Sequence, residues 1–110
     1  MIINEINPGK KISYSTNGTW LVLGDELMFN LAKYQRDQIV QIDICTNRDG
    51  MLVVSVDEGL YYTAQIEIPP IEYTTPANTD DGTGAPPKAL PLNMDKVTLT
   101  LWSIENIGGI

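Results

Sequence analysis

The side chains of this chain that could do chemistry are mainly carboxylates, because histidine is absent and cysteine occurs once. Ser-His-Asp and Cys-His nucleophiles are therefore excluded. Cys45 alone gives neither a disulfide nor a zinc site, and its position in a predicted strand indicates a packing residue. Carboxylate pairs remain, either Asp57 with Glu58 or Asp43 with Glu67 on one face of neighbouring strands. Glycosidases need two carboxyls about 5 to 10 Å apart beside a deep cleft. A small domain of short strands offers few walls for such a cleft, so we expect no catalytic residues and no enzyme activity.

Two segments combine acidic residues with glycine in the manner of metal-binding loops. Residues 78–82 read Asn-Thr-Asp-Asp-Gly but lack the other carboxylates and the final Glu of the twelve-residue calcium loop. Residues 47–50 read Asn-Arg-Asp-Gly and put Arg48 where a metal would need an oxygen. Both patterns are typical of turns and loops. We therefore expect no metal site and no cofactor.

Charge and composition narrow the class of partner. Fourteen acidic residues oppose seven basic ones, giving a net charge of −7, and only Lys10 and Lys11 are adjacent cations. The electrostatic field of this negative charge repels phosphate backbones, so we expect no nucleic-acid partner. A chain of 110 residues with 43% hydrophobic residues predicts one globular domain, residues 1–110. The short apolar runs and the lack of a secretion signal predict no membrane partner. We expect a cytoplasmic protein, or one assembled from the cytoplasm into a larger particle.

The elements that would position these residues are strands, and residues 38–68 carry the clearest ones. Three successive segments alternate apolar and polar side chains with the two-residue period of half-buried strands. The connections at 47–50 and 57–59 are short and end in Gly, as hairpins require. The pattern predicts an antiparallel three-strand meander with one core face and one polar face. The predicted core face carries Val40, Ile42, Ile44, Leu52, Val54, Val56, Leu60, Tyr62, Ala64, Ile66 and Ile68, and the polar face carries Gln41, Asp43, Thr63, Gln65 and Glu67.

Further strands are predicted on both sides of this meander. Residues 1–6 read as an edge strand, and residues 11–16 and 19–23 as a hairpin around a type I′ turn at Asn17-Gly18. Residues 19–23 are apolar on both faces, which predicts a central strand. Gly24-Asp25 suits a second tight turn. Residues 26–36 fit either a helix capped by Asp25 or a strand, and we favour a strand over 26–31 followed by a compact turn. The last strand is predicted over 96–104, with Val97, Leu99 and Leu101 on one face.

Residues 29–46 resemble a local pattern of jelly-roll β-sandwich domains. In that pattern a strand ends in a short triplet, an aromatic follows in a tight turn, and the next strand begins Val-x-Ile-x-Ile. Asn30, Leu31 and Ala32 match the triplet, Tyr34 the aromatic, and Val40, Ile42 and Ile44 the strand. The family's usual Gly in the turn is replaced here by Gln35-Arg36-Asp37. The resemblance implies a fold and no ligand. With the strand count, it predicts an all-β fold, a small antiparallel β-sandwich or flattened barrel of jelly-roll type with seven or eight strands.

A proline-rich segment, residues 69–95, separates the meander from the last strand. It holds six of the seven prolines and a Thr-Asp-Asp-Gly-Thr-Gly run at 79–84. Loops of this length are commonly functional or mobile, so we predict a flexible arm that lets the last strand return beside an early one. Ile71 and Tyr73 are candidates to extend the preceding strand, and Leu90, Leu92 and Met94 to hold the returning end. The arm would either dock on a neighbouring subunit or be an inert surface loop.

Six residues are candidates for interaction. Strand alternation does not assign Trp20, Tyr61 and Trp102 to the core, so they would bind a partner or sugar, or be buried in a second apolar face. Tyr73, Pro86 and Pro87 lie in the arm. The chain also resembles small phage or prophage virion proteins in its general type. We expect a structural or assembly module with a protein partner or a homo-oligomer. The alternative is a β-sandwich that binds carbohydrate or another small ligand on the polar meander face.

Overall fold

The computed structural model describes residues 1–54, 61–74 and 87–104, and within them the chain forms two packed β-sheets. The predicted all-β sandwich is confirmed, with eight strands in the described residues. The strands are β1 (Ile2–Glu5), β2 (Tyr14–Asn17), β3 (Trp20–Leu23), β4 (Leu27–Asn30), β5 (Val40–Thr46), β6 (Leu52–Val53), β7 (Tyr61–Ile68) and β8 (Thr98–Leu101). The same residues include one helical turn, α1 (Leu31–Tyr34), and one 3₁₀ turn (Met94–Lys96). The five-stranded sheet has the order β1-β8-β7-β5-β6, and the three-stranded sheet the order β2-β3-β4.

One hydrophobic cluster receives side chains from both sheets. The alternating apolar residues of β3, β5, β7 and β8 supply most of it, because the inner face of each strand carries every second residue. Burying these side chains is the main favourable term for a domain of this size. The cluster consists of Ile12, Leu21, Leu23, Phe29, Leu31, Ile42, Ile44, Ala64, Ile66, Ile68, Leu92, Val97, Leu99 and Leu101.

The three-stranded sheet follows the sequence closely. β3 is its central strand, as predicted. The first turn differs from the prediction by one residue, because Asn17 stays in β2 opposite Trp20 and Gly18-Thr19 form the loop. Gly18 has φ 60°, whereas Thr19 has no positive φ. A turn that needs a positive φ only at its first central residue puts the glycine there.

The ambiguous residues 26–36 form a strand and then a single helical turn. β4 ends at Asn30, and α1 begins with Leu31, whose side chain is fully buried. The preference for a strand followed by a compact turn is thus confirmed. The Gln35 amide donates to the carbonyl oxygens of Pro69 and Pro70, both at 3.1 Å, which fixes the turn against the end of β7.

The predicted order of the meander is wrong. β5 pairs directly with β7 over its whole length, from Val40 opposite Ile68 to Thr46 opposite Tyr61, whereas β6 pairs with β5 at the edge over two residues. The long β5–β7 pairing brings five core side chains of these two strands side by side, which a two-residue pairing with β6 could not do. The predicted turn at 57–59, with Val56 and Leu60, lies outside the described residues.

A β-bulge changes which side chains of β7 face the core. Ile44 pairs with Ala64 and Cys45 with Tyr62, so Thr63 is the extra residue. A bulge shifts the alternation of the strand by one residue. Thr63, predicted on the polar face, is therefore fully buried, and Tyr62, predicted in the core, is exposed. Val54, also predicted in the core, is exposed as well.

The buried hydroxyl of Thr63 has a partner that explains how it is tolerated. Its Oγ1 shares a hydrogen bond of 2.5 Å with Oγ1 of Thr46, which is also buried, in β5. A buried hydroxyl without a partner would cost free energy, whereas a paired one does not. The two threonines therefore act as a unit next to the bulge.

The last strand returns beside the first, as the long excursion predicted. β8 lies between β7 and β1 and runs parallel to β1, with Leu99 opposite Ile3. Val97, Leu99 and Leu101 are buried, which confirms their predicted face.

The two described ends of the arm pair with each other in a short antiparallel ladder, which we call the arm base. Tyr73 pairs with Ala89 in an isolated bridge, the N–H of Thr74 donates to the carbonyl of Lys88 at 2.9 Å, and Leu90 donates to Glu72 at 2.7 Å. β7 ends at Ile68, so residues 71 and 73 do not extend it. Residues 75–86 lie outside the described part of the chain.

The returning end of the arm is held by two of the three predicted residues. Leu92 is buried in the core, and Met94 packs against it. Leu90 is exposed, so that prediction is wrong, since its backbone is engaged in the arm base and not against the core.

Candidate functional site

The outer edge of β1 is an open strand edge with apolar side chains. The N–H groups of Ile2 and Ile6 donate to Val97 and Leu101 of the neighbouring β8 segment at 2.8 and 2.9 Å. Because backbone groups alternate between the two sides of a strand, the N–H and C=O groups of Ile3 and Glu5 point away from β8. Ile2, Ile3 and Ile6 are 53%, 38% and 52% exposed. β1 therefore offers both backbone groups and apolar surface to another strand.

The opposite edge of the same sheet is covered by a side chain. The N–H of Leu52 in β6 donates to Oε2 of Glu26 at 3.1 Å, and Glu26 lies in the turn between β3 and β4. A charged side chain that occupies an edge donor blocks the addition of another strand there. The two edges of the five-stranded sheet are thus chemically different.

The turn at 47–50 uses its oxygens internally. Oδ1 of Asn47 accepts the N–H groups of Asp49 and Met51 at 2.9 and 3.0 Å, and Gly50 has φ 78°. The predicted turn is confirmed, since this is the geometry of an Asx-type turn. The described residues contain no group of three or more Cys, Asp or Glu side chains that could hold a metal ion. Residues 78–82 lie outside that part of the chain.

A carboxylate with two amide partners lies on the outer face of the five-stranded sheet. Oδ1 of Asp43 accepts the side-chain amides of Gln41 at 3.1 Å and of Gln65 at 3.0 Å. Gln41 lies opposite Glu67 and Asp43 opposite Gln65, so the Asp43–Glu67 pair shares a face, diagonally, as predicted. Glu67 is exposed and Asp43 half-buried. We call Gln41, Asp43 and Gln65 the polar cluster.

An aromatic pair lies next to the polar cluster. The rings of Tyr62 and Trp102 have centroids 5.0 Å apart and an angle of 31° between their planes. Cys45 lies opposite Tyr62 on the adjacent strand, so Tyr62 faces outward with Asp43 and Cys45. Partial desolvation, and then the Asp43 carboxylate and Cys45, raise the pKa of the Tyr62 hydroxyl. Sequence alternation missed Tyr62 because it could not reveal the bulge.

Cys45 lies on this same face of the sheet and is nevertheless buried, as predicted for a packing residue. Burial and, secondly, the Asp43 carboxylate raise the pKa of its thiol, because both disfavour the thiolate. Since the thiolate is the nucleophilic form, this environment makes Cys45 a poor nucleophile.

The six predicted interaction residues do not converge on one site. Trp20 lies on the outer face of the three-stranded sheet, on the other side of the sandwich, near the exposed Met28. Tyr61 is exposed at the start of β7, and Trp102, partly buried, contacts Tyr62. Pro87 lies exposed in the returning part of the arm, and Pro86 lies outside the described residues.

Tyr73, the remaining candidate, has a structural role at the arm base. Its hydroxyl donates to the carboxylate of Asp37, in the turn before β5. This hydrogen bond, followed by desolvation, raises the pKa of Tyr73. The nearby pair of Lys96 Nζ and Glu72 Oε1, 2.5 Å apart, ties the same base to the 3₁₀ turn. Tyr73 therefore anchors the arm to the body of the sandwich.

Comparison with protein-family models, with curated proteins and with solved structures finds no match to this chain. None of the helices in the described residues has the length and apolar character needed to cross a bilayer. The geometry of the surfaces therefore carries the functional argument.

Proposed function

We propose that this protein is a non-catalytic assembly module that associates with other copies of itself through the open edge of β1. The observation that carries the proposal is the combination of free backbone groups at Ile3 and Glu5 with the exposed side chains of Ile2, Ile3 and Ile6. Strand addition uses these two kinds of group, since main-chain hydrogen bonds give affinity and side chains give specificity.

The charges around β1 favour this edge over random contacts. Glu5 is the only charged residue in β1, whereas the whole chain carries a net charge of −7. General repulsion between acidic surfaces keeps copies apart, and a nearly neutral apolar edge is where that repulsion is least. Lysine and proline, which many edge strands use to prevent pairing, are absent from β1.

The arm would be a second point of contact in such an assembly. Its two described ends are held together by the Tyr73–Ala89 bridge and fixed to the body by Tyr73 and Lys96. The described residues on the two sides of 75–86 therefore lie close together. The resemblance in type to small phage or prophage virion proteins suggests that the assembly is part of a larger particle.

The test removes a single outward-pointing backbone N–H group from β1. Ile3→Pro removes the outward N–H of β1 without removing a hydrogen bond to β8. We expect the wild-type protein to form concentration-dependent oligomers in sedimentation equilibrium, and Ile3→Pro to weaken this association about tenfold or more. Thr16→Pro is the matched control, because Thr16 lies in the edge strand β2 of the other sheet and should leave association unchanged.

A second variant controls for the possibility that Ile3→Pro loses association because it misfolds. Ile3→Lys keeps the backbone donor but puts a charge at the edge, and we expect the same loss of association with an unchanged circular dichroism spectrum. A wild-type protein that stays monomeric at high concentration, or equal association of wild type and Ile3→Lys, would overturn the proposal.

A further inference from the structure

We propose that the outer face of the five-stranded sheet carries a binding site for neutral carbohydrate, formed by the Tyr62–Trp102 pair and the polar cluster Gln41, Asp43 and Gln65. This inference goes beyond assembly, because the site uses side chains on a sheet face and not the backbone edge of β1. Its parts are an apolar platform, a preset group of hydrogen-bonding atoms, and a charge pattern that excludes anions.

The platform is the pair of aromatic rings. Tyr62 is 41% exposed although it contacts Trp102, so its ring is available to a ligand. With centroids 5.0 Å apart and 31° between their planes, the two rings stack against each other, so Trp102 supports the exposed Tyr62 ring. One face of a pyranose ring carries mainly C–H groups, and such a face packs well on an aromatic surface. The backbone N–H of Trp102 donates to Thr63 at 3.1 Å, which fixes the position of Trp102 beside the bulge.

The polar cluster supplies oriented donors and acceptors beside the rings. Both glutamine amides donate to one oxygen of Asp43, which leaves Oδ2 of Asp43 and the amide oxygens of Gln41 and Gln65 with acceptor capacity. Each amide nitrogen also keeps a second N–H. Because these side chains already hold one another, binding hydroxyl groups would order few additional rotamers. Sites for small ligands commonly combine apolar rings with a few such fixed polar groups.

The charges of this face select an uncharged ligand. The strand residues that share the face include the carboxylates Asp43 and Glu67, and among those in the described strands none is Lys or Arg. Phosphate, sulfate and uronate groups would meet like charge there without a compensating cation. A neutral polyol offers hydroxyl donors to the carboxylate and avoids this repulsion. A neutral oligosaccharide therefore fits the face better than an anionic one.

The test uses fluorescence of Trp102 with Trp20 removed. Trp20→Phe leaves Trp102 as the only tryptophan, and Trp20 lies on the other side of the sandwich. The probes are two neutral oligosaccharides, cellohexaose and maltohexaose, and an anionic one, oligogalacturonate, each at millimolar concentration. We expect a saturable change in emission with at least one neutral probe and none with oligogalacturonate.

Matched variants assign the binding to this face. Tyr62→Ala should weaken binding about tenfold, because it removes the exposed ring of the aromatic pair. Tyr61→Ala is the control, since Tyr61 is the neighbouring residue of β7, is 45% exposed and lies off the platform. Gln65→Ala should weaken binding, whereas calorimetry should give the same affinity with and without Trp20→Phe.

Two outcomes would overturn the inference. One is no response to either neutral probe, which a face that binds only protein would give. The other is an equal loss of affinity in Tyr61→Ala and Tyr62→Ala. Neither result depends on assembly, because Tyr62→Ala should leave sedimentation unchanged and Ile3→Lys should leave the sugar response unchanged.

Discussion

The two edges of the five-stranded sheet are opposite in character. β1 at one edge has free backbone groups and exposed isoleucines, whereas β6 at the other edge is short and has its Leu52 N–H occupied by Glu26. Sheet edges invite pairing with other chains unless something covers them. In this protein one edge is therefore covered by Glu26, from the β3–β4 turn of the other sheet, whereas the other edge can still pair.

The neighbours of each edge account for the difference. β6 is next to the turn at 47–50 and under the β3–β4 turn, so Glu26 can reach its backbone. β1 is next to β8 only, and the segment after it bends at residues 7–9 and stays beside residues 103 and 104. Within the described residues, no side chain hydrogen-bonds to the outward backbone groups of Ile3 or Glu5. Three experiments test this comparison, from the largest expected effect to the smallest.

The first substitution asks whether both edges depend on one cooperative core. Leu99→Ala empties a fully buried position in the strand beside β1. We expect the free energy of unfolding to fall by about 3 kcal/mol, from lost burial and the cavity left behind. Urea unfolding followed by fluorescence measures it, with one transition for both sheets. Leu90→Ala, the same change at an exposed site, should cost less than about 0.5 kcal/mol. Two separate transitions in Leu99→Ala would break the comparison, because the edges would then belong to independent units.

The second experiment tests the hydrogen bond between Thr46 and Thr63 next to the bulge, close to the β6 edge. Thr46→Val leaves the buried hydroxyl of Thr63 without its partner, so we expect a loss of about 1 to 2 kcal/mol in the free energy of unfolding. The double variant Thr46→Val with Thr63→Val removes both hydroxyls and should lose less than the sum of the two single variants. Chemical denaturation of all four proteins gives the coupling energy. Strict additivity would mean that the two hydroxyls do not stabilise each other.

The third substitution uncovers the closed edge. Glu26→Ala removes the acceptor of the Leu52 N–H, and we expect a loss of about 0.5 to 1 kcal/mol, since the group is exposed and water can replace it. The same variant should associate more strongly than wild type in sedimentation, because a second edge becomes available. Glu26→Gln keeps an acceptor oxygen and should change both quantities less. Equal effects of Ala and Gln would assign the role of Glu26 to its charge and not to the hydrogen bond.

The candidate sites show where prediction from the sequence reaches its limit. The polar face of β5 and β7 was predicted correctly at Gln41, Asp43, Gln65 and Glu67, because their alternation is regular. Tyr62 was assigned to the wrong face, since one extra residue at Thr63 reverses the alternation beyond it. The contact between Tyr62 and Trp102 joins strands far apart in the chain and has no local signal.

The sequence by itself determined the all-β class, the central position of β3, the glycine turn at 47–50 and most of the core. These features depend on local patterns, because the two-residue period of a strand and the backbone freedom of glycine act within a few residues. The tertiary structure alone decided which strands became neighbours, as in the direct pairing of β5 with β7 and the parallel pairing of β8 with β1. Alternation determines which face of a strand a side chain occupies, but not which strand lies beside it. Strand neighbours are determined by the packing of the whole core. The open edge of β1 and the covered edge of β6 follow from this order of strands.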